Sequence, residues 1–139
     1  MTNKEKARKI ALYAGNKAML DNNYGYVEYE KKIDFEKPST IVGVYCSVVY
    51  VVNSGCGIVG VSAKTVHPIL RTIDQITDEE IEVLNNLPCN NFTEIDRAYV
   101  VHEFVGYFLL DKDEADYLRS IGIDCDGLIE AGVAVKEEE

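Results

Sequence analysis

Residues 41–63 read IVGVYCSVVYVVNSGCGIVGVSA and contain no charged side chain. Valine and isoleucine crowd this stretch, and such β-branched residues fit a pleated sheet better than a helix. Asn53-Ser54-Gly55 interrupts the run with residue types that tolerate the backbone angles of a tight turn. The stretch therefore predicts two buried strands joined by a hairpin. Its first half lacks clean period-2 alternation, which indicates burial on both faces and a central strand.

A membrane-spanning segment is the alternative interpretation of residues 41–63, because an uncharged run of this length can cross a bilayer. Three features argue against a span: a polar, glycine-containing middle, the absence of leucine, and the lack of a flanking basic cluster. We therefore expect a protein that is soluble without detergent and has no membrane contact.

The totals predict one domain with an ordinary hydrophobic core. The chain has 139 residues, of which 47% are hydrophobic and 27% charged, as in typical soluble proteins. We expect the domain to cover residues 1–135 and an acidic tail to cover 136–139. The N-terminus shows no apolar signal-peptide core, and the four cysteines form no CxxC pair. Reduced thiols in a cytoplasm are therefore expected.

Three helices are predicted from capping residues and apolar spacing. Capping-box spacing places two N-termini, after Thr2 and after Thr77. An aspartate, Asp111 or Asp113, caps the third helix. In the first helix, the stripe of small apolar side chains extends as far as Ala18.

Further strands are expected on either side of the hairpin. Composition favours a strand over 24–33, a strand over 97–110 and an edge strand over 133–135. Residues 64–73 are expected to be irregular because Pro68 disrupts regular pairing. The fold class predicted is α+β: a single domain with a small mixed or antiparallel sheet built on the central hairpin, with about three helices.

The net charge of −10 is unevenly distributed. Residues 71–139 carry 18 acidic and 5 basic side chains, whereas residues 41–70 carry one basic and no acidic side chain. A C-terminal half with this excess of acidic residues should not bind nucleic acid. It is either a solubilising surface or a docking surface for a basic protein. Asp111, Asp113 and Glu114 mark the candidate acidic interaction face.

Several short motifs carry a resemblance to known proteins: Thr2 to Arg8, Leu70-Arg71, Ile76 to Glu80, Asp116-Tyr117-Leu118 and Asp124 to Ala134. Through them, the segment from Leu70 to Val135 resembles a group of small, uncharacterised proteins encoded by phages and mobile elements of gut bacteria. The central hairpin lies outside the resemblance. What the resemblance implies is a mobile-element origin and a bacterial host cytoplasm; it supplies no activity and no catalytic residue.

The possible soft metal ligands in the sequence are the four cysteines, His67 and His102. Cys46 and Cys56 each lie a few residues from the predicted turn, so they are the candidate metal pair, although no close ligand spacing supports zinc. The aspartates around Gly127 do not fit the calcium-binding EF-hand frame and suit turn and capping roles better. The glycines of GCGIVG, residues 55–60, have the wrong spacing for a dinucleotide or P-loop site. No cofactor and no metal are predicted.

Two classes of function remain open from the sequence. The first is a non-enzymatic accessory protein of phage type that acts by protein–protein contact through its acidic surface, in its sharpest form an inhibitor of a basic host protein. The alternative is a small-ligand or metal-binding domain, with catalysis conceivable, that uses the hairpin cysteines. An enzyme is the less favoured class, because no catalytic constellation is visible.

Overall fold

The computed structural model describes residues 1–21, 33–87 and 112–137. The strand predicted over 97–110 falls outside these residues, and so does the one over 24–33 apart from Ile33. The described elements follow the order α1 (Asn3–Ala11), β1 (Lys17–Leu20), β2 (Ser39–Tyr45), β3 (Val48–Asn53), β4 (Gly57–Ser62), β5 (Val66–Leu70), α2 (Asp78–Asn85), α3 (Lys112–Ser120) and β6 (Val135–Lys136).

The strands form one six-stranded sheet in the order β4-β3-β2-β1-β5-β6. All neighbouring pairs are antiparallel except β5 and β6, which are parallel. α1 packs against β2, β3 and the short 3-10 turn Ala63–Thr65 that follows β4. The predicted α+β class, with a small mixed sheet and three helices in the described ranges, is confirmed.

The central stretch forms three strands, so the prediction of two was wrong. Asn53-Ser54-Gly55 does begin the turn between β3 and β4, as expected. A second turn, Cys46-Ser47, lies between the paired residues Tyr45 and Val48. Cys46 adopts a left-handed φ of 55° there, a conformation usually given to glycine or asparagine. The first half lacked alternation because it contains this turn, not because both faces are buried.

The first helix is shorter than predicted. It ends at Ala11, and Gly15 at φ 92° turns the chain into β1. Two backbone hydrogen bonds fix this turn to the hairpin: Gly15 N donates to Ile41 O at 2.8 Å, and Ile41 N donates to Asn16 O at 2.9 Å. Ala18, expected on a helix, lies instead in a strand between β2 and β5, because sheet pairing overrides the helical preference of alanine.

Residues 66–70 were expected to be irregular, but they form β5. Its side chains alternate, with Val66, Pro68 and Leu70 buried in the core. Pro68 lies opposite Ala18 of β1, and β6 pairs only with Ile69 and Leu70. The strand thus tolerates a proline, because the β5–β6 ladder begins just beyond it.

The caps predicted at Thr2 and Thr77 are confirmed. α3 begins at Lys112, so Asp113 lies in its first turn and is not its cap, and Asp111 lies outside the described residues. The Thr2 hydroxyl accepts a hydrogen bond from Glu5 N, and Thr77 forms a full capping box with Glu80. Gly122, at φ 80°, ends α3. The predicted C-terminal strand is β6, but the tail begins later than expected. Lys136 pairs with Leu70, and Glu137 N donates to Leu70 O at 2.7 Å.

The core has two parts. The larger lies between α1 and the sheet and includes Ile10, Val49 and Val51, with Leu128 and Val133 from the C-terminal segment. The smaller joins α2 and α3 through Ile81, Leu84, Leu118 and their neighbours. None of the described helices is long and apolar enough to cross a membrane.

The burial of Val49 predicts a severe effect of Val49→Asp. Val49 is fully buried beneath α1, so aspartate there leaves an unpaired charge in the core and should cost several kcal/mol, on the order of the whole stability. Val52→Asp is the matched control, because Val52 lies on the same strand but is 43% exposed. Thermal melting by circular dichroism should show an unfolded Val49→Asp chain and a folded Val52→Asp chain. Similar melting of both variants would contradict the assigned faces of β3.

Candidate functional site

The outer side of β2, β3 and β4 is an exposed apolar surface. We call it the apolar face and define it by the exposed large side chains Val42, Tyr45, Tyr50, Val52 and Ile58. Tyr45 is 72% exposed and Ile58 60% exposed. The three strands contain no charged residue. Contiguous exposed apolar surfaces of this kind mark contact sites in soluble proteins.

Alternation along β3 produces this face. Val49, Val51 and Asn53 point into the core, and Tyr50 and Val52 point outward. Because α1 and the C-terminal segment pack on the inner side of these strands, the outward half of an entirely uncharged strand is left at the surface.

Two glycines flank Tyr50 on the apolar face. Gly43 and Gly60 lie opposite Tyr50 on the two neighbouring strands. The Tyr50 ring lies over Gly60, where an added Cβ would come within 2.9 Å of the ring. An added Cβ at Gly43 would meet nothing within 4 Å. The Tyr50 ring therefore covers Gly60, whereas the space next to Gly43 is open.

A second surface is formed by carboxylates on α2 and α3. Both helices pack on the smaller core cluster, and the carboxylates in question lie outside it. Of the predicted interaction face, Asp113 is exposed and Glu114 is half-buried on α3, whereas Asp111 lies outside the described residues. We call this the acidic surface, defined by Asp78, Glu79, Glu82, Asp113, Glu114 and Asp116.

Arg71 is committed to an ion pair within the fold. Its guanidinium forms a two-pronged pair with Glu80 at 3.0 and 2.6 Å and also donates to the Ile121 carbonyl at 2.8 Å. Burial acts to raise the pKa of Glu80, but the hydrogen bonds from Arg71 and Thr77 outweigh it and hold the pKa below its ordinary value. The pair ties β5 to α2 and to the end of α3.

Arg119 is committed in the same way to Asp126. Its Nε and Nη2 donate to the two carboxylate oxygens at 3.0 and 2.8 Å. The buried Tyr13 hydroxyl donates to the same carboxylate at 2.7 Å and accepts from Cys125 N at 2.9 Å. Burial acts to raise the pKa of Asp126, but these hydrogen bonds lower it below its ordinary value. Sequence analysis missed this network, because Tyr13 lies more than a hundred residues from Asp126 and Cys125.

Asp124 serves the turn, as its position before Gly127 predicts. Its carboxylate is 4% exposed and accepts hydrogen bonds from the backbone N–H groups of Asp126, Leu128 and Ile129 at 2.9–3.2 Å. These bonds use both carboxylate oxygens to hold the loop that carries Asp126.

The predicted cysteine pair does not come together. Cys46 precedes β3 and Cys56 follows it, and a strand of this length extends roughly 17 Å. The two thiols therefore cannot share one metal ion, whose bonds to sulfur are about 2.3 Å long. Cys125 is buried, and burial raises the pKa of its thiol to about 12, which makes it a poor nucleophile. Among the described residues, no group of three histidine, cysteine or acidic side chains is placed to hold a metal.

Comparison of the chain with protein families, curated proteins and solved structures finds no match.

The Asp126 network predicts a pH-dependent stability. Because the pKa of Asp126 is lower in the folded chain than in the unfolded chain, its contribution is present near neutral pH and is lost as the pH falls below about 5. Asp126→Asn should cost about 2 kcal/mol at pH 7, since Arg119 loses its counter-ion. It should also flatten the fall of stability at acid pH, leaving the part that comes from Glu80.

Urea denaturation between pH 3 and 7 measures this effect. Asp116→Asn is the control, because the Asp116 side chain is 57% exposed and lies 4.0 Å from Arg119. That variant should keep the stability and pH slope of the unmodified protein. An Asp126→Asn protein with an unchanged slope would show that the network does not stabilise the fold.

Proposed function

We propose that the protein functions without catalysis, as a domain that acts by contact with other proteins. The observation that carries the proposal is the apolar face, which is exposed, uncharged and continuous over three neighbouring strands. The ionic groups that the fold brings together support a binding role as well. Arg71, Arg119 and Asp126 are used in hydrogen bonds that hold the fold.

The energetics favour such a role. The exposed part of the apolar face is a few hundred Å², the size of the largest patch on an ordinary monomer. Covering about 400 Å² of apolar surface contributes roughly 10 kcal/mol before the costs of association are subtracted. That is enough for a specific complex when the rim supplies matching polar contacts.

The acidic surface points to a basic partner. On α2 and α3, the six carboxylates of the acidic surface accompany Lys112 and an arginine that is already paired with Asp126, and a seventh carboxylate, Glu80, is paired with Arg71. This field attracts basic proteins and repels nucleic acid. Together with the resemblance to mobile-element proteins, it supports an accessory protein of a bacterial host cytoplasm that docks on a basic host protein, for instance a nucleic-acid-binding one.

Neutralising the acidic surface should slow association with such a partner. The test uses a protein captured from gut-bacterial lysate and then purified, with association followed by surface plasmon resonance. Glu79→Gln with Glu82→Gln, which neutralises two exposed carboxylates of α2, should lower the on-rate severalfold while the melting temperature stays nearly unchanged, since exposed charges contribute little to folding. The on-rate of the unmodified protein should also fall as salt shortens the Debye length from about 10 Å at 0.1 M to 3 Å at 1 M.

The control changes the net charge equally at a different place. Glu5→Gln with Glu36→Gln removes two exposed carboxylates that lie on α1 and before β2. If both double variants slow association equally, the acidic surface has no special role. If neither variant nor salt alters the rate, that surface serves solubility only.

A further inference from the structure

We draw no further inference here: the strongest candidate, the apolar face on the outer side of β2, β3 and β4, carries no proposal beyond the one already made, because nothing in the described part of the structure shows what covers it.

Discussion

One constraint shapes the molecule: an uncharged, alternating strand is covered on one side only. β3 sends Val49 and Val51 under α1 and sends Tyr50 and Val52 outward. A strand that had charges on its outward positions would fold equally well and be more soluble. The apolar outward side chains of β3 therefore lie outside the core, and contact with another molecule is the role that we propose for them.

The remainder of the fold is fastened by two arginine–carboxylate pairs and one phenol. Arg71 with Glu80 holds α2 and the end of α3 against β5, and Arg119 with Asp126 holds the loop after α3. The Tyr13 hydroxyl connects that loop to the segment after α1. These groups lie where electrostatic bonds are partly shielded from water, so they stabilise more than surface pairs do.

Sequence patterns predicted what local chemistry controls and missed what distant contacts control. The caps at Thr2 and Thr77 and the turn at Asn53 follow from side chains that bond to their own neighbours. The turn at Cys46 and the strand containing Ala18 depend on pairing with other strands, which overrides local preference. For the same reason, the acidic residues Asp113 and Glu114 were visible in the sequence, whereas the apolar face required knowing which side of β3 is covered.

The uneven charge distribution makes the apolar face neutral and the acidic surface strongly negative. An exposed apolar surface such as the apolar face invites uncontrolled association unless something limits it. The strong negative charge of the chain opposes random association at long range. The electrostatic repulsion is weak at the neutral apolar face, because salt screens the distant carboxylates. The acidic helices lie at the far end of the sheet, where the Arg71–Glu80 pair holds α2 against the residue that follows β5. The fold thereby separates the acidic surface from the apolar face.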